Sequence, residues 1–325
     1  MATAVLAPAL VLSGCAGVSP VLAPRLPVDA RRTAVELDAT PFYPQTVHQC
    51  GPAALATVLQ VSGVNVTPAD LVSRVYLPNR EGSLQAELVA ATRGYARLPY
   101  PIAPDLSDLL AELQAAHPVL VLQNLGFSFY PVWHYAVVIG YLPDEDTLIL
   151  RSGVTRRLVM PAGHFLRSWR LAGNWGLVVL RPGELPAHPT AAVYLKAAAD
   201  LESVGQIQAA ELAYGTAVTR WPHNATAWLG LGNTHYQAGR LPAAEESYRQ
   251  AIRVDPGYLA AWNNLAEVLA KRGCFNTAIT VLDTALARAA SSAALRTSLL
   301  QTRGEILSRR PADHTADAPG CGQAY

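Results

Sequence analysis

Residues 46–52 read Thr-Val-His-Gln-Cys-Gly-Pro and run into an apolar stretch at 53–59. Proline is tolerated in the first turn of a helix, where its missing N–H has no partner to lose. The stretch therefore predicts a helix with Cys50 at its N-terminus, facing unpaired amides and the positive end of the helix dipole. A thiolate is favoured at such a position. The helix end supplies only part of what ionisation at neutral pH requires, so an imidazole is needed nearby. His134 opens an apolar run at 133–141 that reads as a strand. A helix-borne thiol and a strand-borne imidazole, far apart in sequence, are the pair expected of a cysteine nucleophile and its base. Gln45 lies five residues before the cysteine, and Gln49 directly precedes it. Either amide could donate to an oxyanion, and Gln45 is the first choice. A bare Cys-Gly-Pro also fits a cysteine that packs as a small hydrophobe; the glutamine and the histidine carry the case for chemistry.

The elements that must position these groups follow in a definite order. Thr67 and Pro68 mark a second helix start, and Ser83 is placed to cap a third helix over 84–93. A short extended piece at 96–102 precedes a helix over 105–116. The periodicity then changes. Apolar runs at 118–123, 133–141, 147–150, 156–160 and 176–180 read as strands, with a helix at 162–169. Helices first and a mostly antiparallel sheet second is an α+β order. The loop at 125–133, rich in Phe, Tyr and Trp, is a candidate wall of a substrate groove.

Gln45, Cys50-Gly51-Pro52, the apolar helix after them and His134-Tyr135-Ala136-Val137-Val138 resemble the double-glycine peptidases that process bacteriocins. The closer resemblance is to free-standing bacterial lipoproteins with such a domain ahead of helical repeats. The resemblance covers residues 40–182. It implies an α+β papain-like cysteine peptidase domain, with the nucleophile on the leading helix and the base on the sheet. The chain departs from that family twice. The family glutamine usually lies six residues before the cysteine, not five. An Asp-Pro usually ends the strand after the histidine strand, where this chain has Arg151-Ser152-Gly153. A neutral imidazole needs a partner on its second nitrogen. Ser152, nearest the family aspartate position, and Asn124, at the end of the preceding strand, are the two candidates.

Beyond residues 183–190, a linker by composition, a period of 34 residues sets in. Trp228, Leu231, Gly232, Gly239, Ala244, Tyr248, Ala251 and Pro256 set the pattern, and all but Pro256 recur at that spacing as Trp262, Leu265, Ala266, Gly273, Ala278, Leu282 and Ala285. They recur backwards as Tyr194, Ala197, Ala198, Gly205, Ala210, Tyr214, Ala217 and Pro222. This pattern resembles the tetratricopeptide repeat. It implies three repeats over 191–292, an all-α superhelix with a concave face for a protein partner, and a closing helix over 293–310. Asn233, Asn263 and Asn264 are candidates to face that groove. Residues 311–325 read as a flexible tail.

At the other end, an apolar run at 2–12 and Leu12-Ser13-Gly14-Cys15 resemble a bacterial lipoprotein signal, with Cys15 as the acylated residue. Ala16 rather than aspartate follows, which by the same resemblance implies the outer membrane, facing the periplasm. The proline-containing stretch 16–38 then reads as a tether, and 39–182 as the first domain. An exported protein sits in an oxidising compartment, so Cys274 and Cys321 could pair. The net charge of +1 gives no argument for nucleic acid. No spacing of cysteine and histidine suggests a metal, and no phosphate loop suggests a nucleotide, so no cofactor is expected. The expected partners are a peptide or protein substrate, a protein on the repeats and a membrane reached through Cys15.

Overall fold

The computed structural model describes residues 19–45, 49–289, 293–317 and 319–321. The Cys15 signal lies outside these residues. The first domain opens with α1 (Cys50–Val61), α2 (Pro68–Val75) and α3 (Gln85–Gly94). The Asp70 carboxylate accepts from both the amide and the hydroxyl of Thr67, which closes the first turn of α2. Leu84, not Ser83, occupies the cap position of α3. The Ser83 hydroxyl is instead buried beside the start of α1, without a hydrogen-bond partner among the described residues.

A seven-stranded sheet follows. Its main strands are β2 (Leu98–Pro101), β3 (Val119–Asn124), β4 (Trp133–Leu142), β5 (Thr147–Ser152), β6 (Thr155–Pro161) and β7 (Gly176–Leu180). Their spatial order is β2-β7-β3-β4-β5-β6, and every pairing is antiparallel. The short β1 (Val35–Glu36) pairs with the far end of β4. Alternation along the strands divides the core between two faces. Leu120, Leu122, Tyr135, Val137 and Ile139 pack against α1, with Ala54, Leu55, Val58 and Leu59. Val119, Val121, Ala136 and Val138 pack on the opposite side, with α4 (Leu106–Gln114) and α5 (Ala162–Arg170).

That second face also corrects the expected tether. Leu22 and Leu26 are buried in it. The amides of Val21 and Leu22 donate to the Asp146 carboxylate at 2.8–3.0 Å. Residues 21–36 are thus a strap on the domain. The stretch reads as a spacer because its prolines dominate its composition, while its anchors lie more than a hundred residues away.

Three helix pairs follow: α6 (Ala191–Ser203) with α7 (Ile207–Arg220), α8 (Ala225–Gln237) with α9 (Leu241–Val254), and α10 (Leu259–Lys271) with α11 (Phe275–Arg288). Each pair turns on a glycine with positive φ: Gly205 (78°), Gly239 (74°) and Gly273 (82°). Most other residues would be strained there, which is why the glycine recurs with the period. The small residues Ala210, Ala244 and Ala278 are fully buried between the helices. α12 (Ala293–Arg309) closes the array. Cys274 and Cys321 are joined by a disulfide, Cα–Cα 5.6 Å. The Asp317 carboxylate accepts from the amides of Asn276 and Thr277, so the tail is fastened to the start of α11. No helix among the described residues is long and apolar enough to cross a membrane.

Candidate active site

Cys50 is the first residue of α1 and is partly buried. His134 stands near the start of β4. Both line one cleft of about 800 Å³, together with Gln45, Ser83, Trp133, Tyr135 and Gly153. Neighbouring residues of a strand leave it on opposite sides. That His134 and Tyr135 both line the cleft means that it runs across the end of β4. The Tyr135 phenol is pushed well above the usual tyrosine range, by burial first and then by facing Cys50 and Glu87. Its hydroxyl donates to the carbonyl of Ser83 at 3.4 Å, and its ring meets Trp175 edge-on. Among the described residues the Cys50 thiol makes no hydrogen bond, to His134 or to any other group.

The imidazole is held from the sheet. His134 Nε2 lies 2.8 Å from the Ser152 hydroxyl oxygen. The β4–β5 register explains the encounter. Val137 faces Arg151 across the ladder, so Ser152 comes diagonally alongside His134 on the same side of the sheet. With Nε2 committed to Ser152, Nδ1 is the nitrogen left to exchange a proton. Burial pushes the His134 pKa below the usual histidine value. The neutral, base-competent form is favoured accordingly.

Asn124, the other candidate partner, does not reach the histidine. Its Oδ1 accepts from the amides of Gly126 and Val132, and its Nδ2 donates to the carbonyl of Phe127. Its role is to shape the loop between β3 and β4. Of that loop's aromatics only Trp133 lines the cleft; Phe127 and Phe129 line a separate hollow beside α5. The expected aromatic groove wall therefore shrinks to one residue.

Gln45 bridges two elements beside the cleft. Its Nε2 donates to the carbonyl of Tyr135 at 3.1 Å, and its Oε1 accepts from the amide of Gly153 at 3.1 Å. Its own amide donates to the carbonyl of Gly153. A carboxamide nitrogen carries two hydrogens, so one remains to serve an oxyanion. The alternative, Gln49, is not part of the cleft wall; its carbonyl accepts from the amide of Ala53 as α1 begins. Arg151, which the sequence marks only as part of the departure from the family pattern, is buried and donates to the carbonyls of Asp38, Thr40 and Arg156. It ties the segment leading to Gln45 onto the sheet. A lone arginine ending the apolar run 147–150 is the only sequence signal for it.

On the repeats, Asn233, Asn263 and Asn264 line a groove of about 420 Å³, with Tyr248, Glu202 and Glu267 among its other walls. The Tyr248 hydroxyl and the Asn264 amide both donate to Asn233 Oδ1.

Residues 37–176 match the model of the Peptidase_C39 like family, and residues 195–258 and 231–294 match that of the tetratricopeptide repeat. The chain carries a C39-like, peptidase-like domain ahead of protein-interaction repeats. A co-chaperone of Cryptococcus neoformans with tetratricopeptide repeats and a J domain is 32% identical over 124 residues, 38% of this chain. The chain spans about a quarter of that relative's length, 24%. Among solved structures, a putative C39-like peptidase from Bacillus anthracis is 17% identical, with a TM-score of 0.39. The match covers 45% of this chain and 97% of that one. The TPR2B domain of yeast Sti1, solved with an Hsp70 peptide, is 19% identical, with a TM-score of 0.35; the match covers 37% and 98%.

Proposed function

We propose that the chain is a cell-envelope cysteine peptidase, anchored through an acylated Cys15, whose repeats recruit a protein partner. The observation that carries this reading is the shared cleft of Cys50 and His134, with the imidazole fixed from behind by Ser152. In the proposed reaction His134 Nδ1 takes the thiol proton as the Cys50 sulfur bonds to the substrate carbonyl carbon. Gln45 and the Cys50 amide donate to the oxyanion. Collapse breaks the C–N bond, and the same proton passes to the leaving amine. Water then attacks the thioester with His134 as base, releasing a carboxylate and restoring the thiol.

The test is cleavage of a peptide library by the full chain, read by mass spectrometry, together with trapping by an electrophilic thiol probe. Activity should vanish in Cys50→Ala and fall at least ~100-fold in His134→Ala, the usual scale for losing a general base. A second reading, a peptide-binding domain without turnover, draws on Ser152, since a hydroxyl offers no charge to an imidazolium. Peptides retained intact by wild type and by Cys50→Ala alike would establish it and end the peptidase proposal.

A further inference from the structure

The hairpin tip between β3 and β4 is a rigid device that presents apolar side chains to water. Asn124 is 2% exposed, and both ends of its amide are used inside the loop. The ladder continues beyond the strands: the Leu125 amide donates to the carbonyl of Val132, and that of Phe127 to the carbonyl of Tyr130. A Cβ on Gly126 would lie 2.4 Å from the Tyr130 carbonyl oxygen, so only glycine fits. What this scaffold holds out is Phe127 at 55% exposure, Phe129 at 84% and Tyr130 at 72%. Leu125, Val132 and Trp133 are each about half exposed as well. Phe127 and Phe129 stack on each other at 5.4 Å. Large apolar groups gathered on the surface mark an interaction site.

The charged side chains that line the hollow with the tip are basic. No Asp or Glu occurs at 113–143 or at 147–183, and of the six arginines in the second stretch Arg151 is buried while Arg157 and Arg181 pair with Glu36 and Glu184. Two of the others, Arg167 and Arg170, are exposed on α5 and line a hollow with Phe127 and Phe129. Arg167 lies over the Phe127 ring at 5.8 Å. Neither is paired with a carboxylate among the described residues.

We infer that this tip docks on an anionic lipid surface. Aromatic rings settle at the boundary between headgroups and acyl chains, and arginines beside them meet the phosphates. Phe129 stays 84% exposed although it lines a hollow with Arg167 and Arg170, and a bilayer takes in such a ring without shape complementarity. Trp133 belongs both to the base of the tip and to the cleft wall. Docking therefore turns the cleft toward the membrane plane and favours substrate segments presented there. Docking itself does not depend on whether Cys50 cleaves anything.

The test uses the full chain with Cys15 and Cys50 replaced by serine and an environment-sensitive fluorophore on Ser128→Cys. Phosphatidylcholine vesicles with phosphatidylglycerol should shift its emission to the blue and expose it to a lipid-borne quencher. Pure phosphatidylcholine should do neither. Arg167→Gln/Arg170→Gln should weaken the response at least about tenfold, and serine at Phe127, Phe129 and Tyr130 should abolish it. Both variants change exposed side chains, and their melting curves should match the parent. The same fluorophore on Ser203→Cys, in the repeats, should stay in water. A tip label that remains in water on anionic vesicles, or responds equally to neutral ones, overturns the inference. So does a tip that answers only to an acidic peptide, which would assign the surface to a protein.

Discussion

Ser152 stands where the resemblance expects a carboxylate, and its hydroxyl meets His134 Nε2 at 2.8 Å. A neutral hydrogen bond contributes about 1 kcal/mol, so Ser152→Ala should lower kcat roughly fivefold and leave KM nearly unchanged. Ser152→Asp would set a charge beside the imidazole and raise its pKa. The acid limb of kcat/KM against pH, expected in wild type below the ordinary histidine value of about 6.5, should then move upward. Stability follows the same group. Burial lowers the His134 pKa in the folded state, so as pH falls the unfolded chain takes up that proton first. The contribution is fully present above about 6.5 and is lost as pH falls below it. Urea melts at pH 7.5 and 5.5 should show a smaller loss in His134→Gln than in wild type. Cys50 and His134 were legible in the sequence because each sits at a recognisable element boundary. The choice between Ser152 and Asn124 was not, because it turns on cross-strand register and on an irregularity in the β5–β6 pairing beside Ser152. Gln45 over Gln49 turns likewise on which amide spans β4 and the Gly153 turn.

At the scale of elements, legibility tracked locality. The repeats were readable because each helical turn is set by a glycine at a fixed interval, and α2 because Thr67 and Asp70 close its first turn within three residues. The strap at 21–36 was misread because its contacts with Asp146 and β4 are remote in sequence. The C-terminal tail was read as flexible although the sequence allowed Cys274 and Cys321 to pair; the Asp317 contact is the remote part, and the disulfide closes 47 residues of chain. Loop-closure entropy for that length is worth up to about 4 kcal/mol. Replacing Cys274 and Cys321 by serine should therefore lower unfolding stability by about 2–4 kcal/mol, measured by denaturant titration. The loss should concentrate in α11 and α12, because Asp317 would also leave the first turn of α11.

The whole molecule is not a domain with repeats hung on a linker. The second face of the sheet and the first helix pair share one core, in which Leu98 and Tyr100 of β2 join Tyr194, Ala198 and Leu201 of α6. Polar contacts reinforce the seam: Arg93 pairs with Asp200, Gln206 donates to the carbonyl of Gly94, and the linker amide of Ala187 donates to Glu112. A separate core joins α9, α10, α11 and α12. Cooperative opening should follow these cores rather than the sequence families. Tyr194 is fully buried, and Tyr194→Ala should cost about 3 kcal/mol. Amide hydrogen exchange should then lose protection in β2 and β7 together with α6 and α7, while α11 and α12 keep theirs. Protection lost from the repeats alone would mean that the two halves open independently. The outcome bears on function because Glu202, near the end of α6, lines the repeat groove. A partner seated there touches a helix that is packed on the sheet carrying His134. Occupancy of the groove should therefore raise protection in β2 and β7 as well as in the repeats.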